Sequence, residues 1–143
     1  MTTYNNELES AETFICNKLT VGQAAIAAIV GTRIYFEASA EPINFKLGPC
    51  IVVSLASPGV DLMVAAGERL LTNPLYLVRG VDVYSGFSRI NPLAGLIDTA
   101  LHYQTAGSVI GCLRERPHSR VYVTDSVTYR ERGGFYRLQI HGG

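Results

Sequence analysis

Two side chains on a predicted helix, Asp98 and His102, have types and a spacing suited to acid–base chemistry. Four residues apart on a helix they can touch, as a general base and the group that orients it must. They lie, however, off the apolar stripe of that helix, and no nucleophile is identifiable near them. We therefore interpret them as an exposed pair and predict that the chain is not an enzyme and has no catalytic residues.

No metal site and no cofactor are predicted. The three cysteines and three histidines are not spaced as CxxC or HxxxH, the patterns typical of zinc ligands. No segment matches GxxxxGK(S/T) or GxGxxG, and residues 85–88 lack the GxSxG pattern of a nucleophile elbow. A folded chain without such a site is usually a binding or assembly module. The six candidate metal ligands are Cys16, Cys50, Cys112, His102, His118 and His141.

The composition of the 143 residues is that of a packed globular protein, with 48% hydrophobic and 17% charged residues. Twelve basic and twelve acidic residues cancel, so no net charge attracts nucleic acid or anionic lipid. We see no export signal and no membrane-spanning stretch, and expect a soluble protein made in the cytoplasm with reduced cysteines. Nucleic-acid binding would require one face to collect Arg114, Arg116, Arg120, Arg130, Arg132 and Arg137.

Three helices are predicted from apolar periodicity and from residues typical of helix ends. The first begins near Asn5 or Asn6, either of which can cap it. The second covers 23–30 and ends at Gly31. The third covers 92–106, and its apolar stripe is expected to pack on a sheet.

Strands fill most of the remaining chain, as runs of β-branched and aromatic residues bounded by turn signals. Gly133-Gly134 is predicted to be the turn of a C-terminal hairpin. The predicted fold class is α+β, a mainly antiparallel β-sheet with two or three helices packed on it, in a single domain that spans 1–143. The predicted strands are 33–36, 50–55, 75–84, 109–113 (stopped by Pro117), 121–123, 127–132 and 135–140.

Five phrases of the sequence, in this order, resemble one family of viral proteins. A first helix is followed by GTRIYF, the proline-introduced strand GPCIVVSL, the strand LYLVRGVDVY, the helix LAGLIDTALH and the closing GGFYRLQI. Over 7–140 this order resembles the tail terminator and tail completion proteins of long-tailed bacteriophages. The resemblance implies a structural virion protein that caps the head-proximal end of the tail tube as a ring, commonly a hexamer. Such a ring stops tube polymerisation and joins the tail to the head connector.

The resemblance also implies partners and a location. The partners are further copies of the chain, the tail tube protein and the head connector or stopper protein, with no membrane involved. DNA passes through the lumen without specific binding, and the location is the head–tail junction of the virion. Two alternatives remain open, a head-completion or adaptor protein of the neck and a small α+β enzyme or ligand-binding domain. The latter needs a pocket that gathers Asp98, His102, Arg114 or Tyr129.

Two segments are the predicted assembly interface. The arginine-rich strands are also candidates for ion pairs between subunits, with Glu68, Asp82, Glu115 or Glu131 as the acids. The loop 38–48 is far longer than a tight hairpin needs. It either docks on a neighbouring subunit or folds over its own core and buries Ile43 and Phe45. The second segment is 60–69. The predicted interface residues are Glu41, Ile43, Phe45, Lys46, Leu47, Asp61, Met63, Glu68 and Arg69.

Overall fold

The structure is a computed structural model that describes residues 6–37, 45–63 and 69–141. Within these ranges the chain forms three α-helices, one short 3-10 helix and seven strands of one sheet. The helices are α1 (Glu7–Thr20), α2 (Ala24–Val30) and α3 (Asn91–Leu101), and the 3-10 helix is Phe45–Leu47. The strands are β1 (Ile34–Phe36), β2 (Cys50–Ser57), β3 (Asp61–Met63), β4 (Arg69–Thr72), β5 (Leu75–Asp82), β6 (Val109–Thr124) and β7 (Val127–His141). The predicted α+β fold class is confirmed.

The sheet consists of two long antiparallel hairpins side by side. β2 pairs with β5, β5 with β7 and β7 with β6, all antiparallel, and the short β1 adds to β2 in parallel. β4 continues the line of β5 along β7, because Thr72 lies opposite Ile140 and Leu75 opposite Arg137. β3 pairs with β4 at that end. The β3–β4 pair, at the far end of β2 and β5, therefore projects past the end of β7.

The helices cover one face of the sheet and form the main core with it. Successive residues of a strand point to opposite faces, and on β5 and β7 the residues toward the helices include Tyr76, Val78 and Tyr136, all fully buried. Ile15 of α1 and Ile97 of α3 are fully buried in the same cluster. We call this side of the sheet the helix face and the other side the open face.

The predicted ends of the first two helices are confirmed. Asn6 is the N-cap of α1, and its side chain accepts a hydrogen bond from the Glu9 N–H at 3.1 Å. Gly31 follows α2 with a φ of 59°, which glycine adopts without steric cost. Among the described helices none alone is long and apolar enough to cross a membrane. Only α1 and α2 taken together have that length and composition, as a pair bent by 92°.

The third helix is shorter than predicted. It ends at Leu101, with His102 as its C-cap. Tyr103 has a φ of 63°, and its N–H donates to the Cys112 carbonyl of β6 at 2.8 Å. The chain therefore leaves the helix because this backbone N–H bonds to the sheet.

The C-terminal region is one long hairpin, and the predicted Gly133-Gly134 turn is wrong. The turn is Asp125-Ser126, whose φ values of 50° and 64° meet the need of a two-residue type I′ turn for positive φ at both positions. Gly133-Gly134 lies inside β7. Glycine is required there because a Cβ at Gly133 would collide with the Val78 carbonyl of β5.

Pro117 does not end a strand either, because the predicted strands 109–113 and 121–123 are parts of the single strand β6. Among the described strands β6 pairs with β7 alone, so it is an edge strand, with only its first residues bonded on the outer side by the turn after α3. An edge strand tolerates proline, since an N–H that points away from the sheet is not needed for pairing.

Candidate functional site

Asp98 and His102 both tie α3 to the sheet. The Tyr136 hydroxyl donates to Asp98 Oδ1 at 3.0 Å, and Arg114 Nε lies 3.7 Å from the same oxygen. The Arg114 backbone N–H donates to His102 Nδ1 at 3.0 Å. Both side chains are half-buried rather than exposed as predicted. A ligand pocket would gather Asp98, His102, Arg114 and Tyr129. The first three come together, whereas Tyr129 lies on the open face, in the cluster formed by Cys50, Val52 and Val81.

The buried tyrosine and thiol groups of the core keep their protons at neutral pH. Burial, the charge of Asp98 and the hydrogen bond to it raise the pKa of Tyr136. Burial raises the pKa of Cys50 and that of Cys112 to about 12. Because the thiolate is the reactive form of cysteine, these two thiols are structural. Within the described residues no three His, Cys, Asp or Glu side chains gather as a metal ion would require.

A group of charged side chains lies buried on the open face. Arg79 Nε of β5 lies 3.2 Å from Glu131 Oε1 of β7, and His118 Nε2 of β6 lies 3.0 Å from the same oxygen. Arg79 also donates to the Ser54 hydroxyl at 3.0 Å. Burial alone would raise the pKa of Glu131, but the hydrogen bond from His118 and the charge of Arg79 outweigh burial and lower this pKa. Glu131 is therefore a carboxylate that joins three strands.

Aromatic side chains lie beside this charged group. The rings of Tyr122 and Tyr129 stack with centroids 5.2 Å apart, and Phe45 meets Tyr129 edge-on at 5.8 Å. These rings border an open cavity of about 280 Å³, which we call the aromatic cavity. Its lining residues are Phe45, Val52, Arg79, Val81, Tyr122, Tyr129 and Glu131.

At the other end of the sheet the β3–β4 hairpin carries apolar side chains into solvent. Leu62 and Met63 each expose 54% of their surface, Val60 exposes 71% and Leu70 exposes 41%. We call residues 60–63 and 69–71 the arm. The Asn73 side chain fixes its base by accepting from the Val60 N–H at 2.8 Å. Clustered exposure of this kind is typical of an interaction surface.

The structure divides the predicted interface residues between the two ends of the sheet. Phe45 packs on Cys50, Val52 and Val81 of its own sheet, the arrangement expected if the loop covers its own core. Asp61 accepts from the Thr72 hydroxyl at 2.7 Å. The cavity end holds Phe45, Lys46 and Leu47, the arm holds Asp61, Met63 and Arg69, and Glu41, Ile43 and Glu68 lie outside the described residues.

The arginines of the last third do not share a face. The guanidinium of Arg116 stacks on Phe135 at 4.0 Å on the open face, whereas that of Arg132 stacks on Phe87 at 3.8 Å on the other side. The condition for a nucleic-acid interface is therefore not met. From the strand register, Arg116, Arg120 and Arg137 lie on the open face and Arg114, Arg130 and Arg132 on the helix face.

The acids that were expected to pair between subunits pair within the chain where the structure describes them. Arg89 Nε lies 3.0 Å from Asp82 Oδ2, and Arg137 Nε lies 2.9 Å from Glu115 Oε2. With the Glu131 pair, these contacts give Asp82, Glu115 and Glu131 each a partner within the chain. Ion pairs between subunits stay a prediction, because a single chain does not test them.

Sequence reasoning predicted Phe45 and Met63 but missed other residues that shape the two surfaces. Tyr122 and Tyr129 become neighbours only when the turn is placed at Asp125-Ser126, since they then lie opposite each other. Leu62 and Leu70 lie in short strands that the sequence does not predict. The sequence carries one signal for the two tyrosines: Tyr122 and Tyr129 are equally far from the turn Asp125-Ser126.

The described residues form an α+β fold with one sheet and with helices on one face of it. The arm lies at one end of the sheet and the aromatic cavity at the other. Among solved structures, the chain is similar to one described as "Virion of native gene transfer agent (GTA) particle", with a TM-score of 0.67 and 17% identity. The similarity covers 96% of this chain and 98% of that chain, so the two share a fold over nearly their whole lengths. No family model and no curated protein matches the chain.

Proposed function

We propose that this chain is a tail terminator, a structural virion protein that caps the head-proximal end of a tail tube as an oligomeric ring. The ring stops tube polymerisation and joins the tail to the head connector. The observation that carries the proposal is the fold, shared over 96% of this chain with a chain from a GTA virion. The sequence phrases that resemble tail terminators support the same role.

The exposed surfaces suit a protein that completes its burial in an assembly. A cap must contact its neighbours in the ring, the last tube subunit and the connector, so it needs several surfaces. The arm supplies one, and the aromatic cavity a second. The edge strand β6 supplies a third, with the exposed apolar residues Ile110, Leu113, Val121 and Val123.

The charge distribution supports passage of DNA through the ring without specific binding. A surface that neutralised several phosphates would hold DNA in place. Here the net charge is zero, and Arg79 and Arg137 pair with acids of their own chain. Arg116 and Arg120 lie over the rings of Phe135 and Tyr122.

In this proposal the protein does no chemistry. Asp98 and His102 serve as ties between α3 and the sheet, through Tyr136 and Arg114. The buried thiols hold their protons because the pKa of Cys50 and that of Cys112 are raised to about 12.

Deletion of the gene from the particle-producing genome, followed by electron microscopy of lysates, tests the proposal. We expect filled heads beside separate tails, some of them abnormally long, because tube growth has lost its stop. The wild-type chain supplied in trans should restore joined particles with tails of normal length.

Two outcomes would overturn the proposal. Tails of normal length beside leaking or empty heads would assign the chain to head completion at the neck. Intact particles would remove it from virion assembly, and a ligand or substrate would then be sought near Asp98 and Arg114.

A further inference from the structure

We infer that neighbouring subunits of the ring contact each other head to tail, with the arm of one copy of this chain seated on the aromatic cavity of the next. The inference rests on the proposed ring and names the surfaces that build it. The occupant of the cavity is the apolar side chain of Leu62 or Met63 from a second copy.

The first argument is position. Thr72, at the base of the arm, and Val81, in the cavity wall, lie on the continuous line of β4 and β5. At about 3.3 Å per residue, that line separates them by roughly 30 Å. The arm therefore cannot reach the cavity of its own chain, so an arm seated in this cavity comes from a second copy.

The second argument is apolar complementarity. The cavity walls are largely apolar, with Val52 and Val81 on the sheet and the rings of Phe45, Tyr122 and Tyr129 around it. Its charged members, Arg79 and Glu131, neutralise each other, so an apolar side chain can enter without leaving an unpaired charge. The exposed side chains of the arm are of the matching kind, Val60, Leu62, Met63 and Leu70.

The third argument is charge. At the arm end Asp61 is exposed, and it lines a groove together with Glu7, near the start of α1. At the cavity end Lys46 follows Phe45, and Arg120 lies over the ring of Tyr122. The arm also carries Arg69, so neither end has charges of one sign alone. The attraction that favours head-to-tail approach is that between Asp61 of one copy and Lys46 or Arg120 of the next.

The fourth argument is closure. The contact uses two different surfaces of each chain, so every added copy exposes one unused arm and one unused cavity. Repeated contacts of this type form a ring when the rotation closes and a filament when it does not. A cap needs the closed form, because an open filament would keep growing.

Cysteine cross-linking tests the contact directly. In a Cys16→Ala background we would prepare Met63→Cys on the arm, Lys46→Cys beside the cavity and the double variant, and treat assembled particles with a short bismaleimide. The double variant should give a ladder that ends at one closed species. Each single variant should stay monomeric, and a mixture of the two single variants should give dimers only. Cys50 and Cys112 are buried and should not react.

Two results would overturn the contact. Dimers from a single variant would show that like surfaces meet, as in a two-fold interface. Particles that contain the protein but give no ladder from the double variant would place the contact elsewhere. Met63→Cys combined with Val21→Cys, an exposed position after α1, is the control pair and should give no ladder.

A substitution that keeps the monomer intact provides a second test. Leu62→Asp should raise the protein concentration needed for ring formation by about tenfold or more, because a buried leucine is lost from the contact. Leu113→Asp on β6 is the matched control, an exposed leucine of a strand outside the contact. A loss with Leu113→Asp and none with Leu62→Asp would overturn the inference in favour of the edge strand.

The outcomes separate this inference from the proposed function. Abnormally long tails on deletion, with no ladder from the double variant, would overturn the contact and leave the terminator role standing. A closed ladder from the double variant, with tails of normal length on deletion, would support the contact between subunits and overturn the terminator role.

Discussion

Arg79 and Glu131 form a buried ion pair between adjacent strands, with Nε 3.2 Å from Oε1. His118, from a third strand, reaches the same carboxylate oxygen at 3.0 Å. A charge buried this deeply must be compensated, or it costs several kcal/mol. One carboxylate therefore holds β5, β6 and β7 in register beside the aromatic cavity.

Glu131→Gln should destabilise the protein by about 3 kcal/mol at pH 7, because Arg79 is then left without its counter-charge. Urea unfolding followed by circular dichroism measures this change. Glu115→Gln is the matched control, since Glu115 pairs with Arg137 at an exposed position, and it should cost less than about 1 kcal/mol. Equal costs for the two variants would contradict the role assigned to Glu131.

The difference in stability between wild type and Glu131→Gln should depend on pH. The pKa of Glu131 is lowered in the folded state, so the carboxylate contributes its full stability above its ordinary pKa of 4.5. That contribution is lost as the pH falls from 4.5 toward the lower folded-state pKa. Unfolding curves of both proteins at pH 7, 5, 4 and 3 measure the difference. A difference in the free energy of unfolding that stays constant across this pH range would contradict the prediction.

Gly133→Ala should destabilise the protein by about 2 kcal/mol or more, because the added methyl group collides with the backbone of β5. Gly95→Ala is the contrasting variant. Its Cβ meets nothing within 4 Å on α3, so it should stabilise the protein by about 0.5–1 kcal/mol. Thermal melting of both variants measures these two changes. An unchanged melting temperature for Gly133→Ala would contradict the close contact with β5 and would favour the turn at Gly133-Gly134 that the sequence predicts.

Phe45→Ala should lower the stability of the isolated subunit by about 2 kcal/mol, roughly half the cost of truncating a fully buried phenylalanine. Phe45 is half-buried and packs on Cys50, Val52 and Val81. Leu47→Ala, two residues further along the same 3-10 helix and exposed, should change the stability little. An unchanged melting temperature for Phe45→Ala would mean that the Phe45 side chain does not stabilise its own subunit and contributes only to a contact with a neighbouring subunit.

Thiol titration of the folded protein should count one reactive cysteine of the three. Burial raises the pKa of Cys50 and of Cys112 to about 12, which keeps both protonated at pH 8, whereas Cys16 is half-buried on α1. The same assay in guanidinium should count three thiols, and Cys16→Ala should lower each count by one. Fast reaction of a second thiol in the folded protein would show that the sheet opens.

The double variant Asp98→Asn with His102→Gln should support particle formation at the wild-type level. The asparagine amide oxygen at 98 can accept from the Tyr136 hydroxyl in place of Asp98 Oδ1, and the glutamine amide oxygen at 102 can accept from the Arg114 N–H in place of His102 Nδ1. The ion pair of Asp98 with Arg114 is partly exposed, so its loss should cost little. Particle yield after complementation of the deletion measures the effect. A folded double variant without any activity would support an enzymatic role.

Local signals in the sequence were enough to predict the helices and the central strands. The Asn6 cap and Gly31 mark helix ends through contacts within a few residues. β2 and β5 are dense enough in apolar residues to be recognised as buried strands. Such features depend on near neighbours, so a single sequence carries them.

Long-range contacts account for what the sequence did not predict. Gly133 is a glycine because the Val78 carbonyl approaches it from another strand, and that contact has no local signature. The true turn, Asp125-Ser126, consists of residues typical of turns but has no glycine, so the Gly-Gly pair further along is the stronger turn signal. Of the candidate site, Phe45 and Met63 were predicted, whereas the stacked tyrosines depend on the position of that turn.

The outer edge of β6 also has a consequence for solubility. A long strand with one unpaired side is a template on which other chains can aggregate. In β6 this template is interrupted by Pro117, which has no N–H, and by a register shift between the exposed charged residues Arg114 and Arg116. A foreign strand cannot pair along the full length of such an edge. Such an edge disfavours fibril growth between copies of this chain.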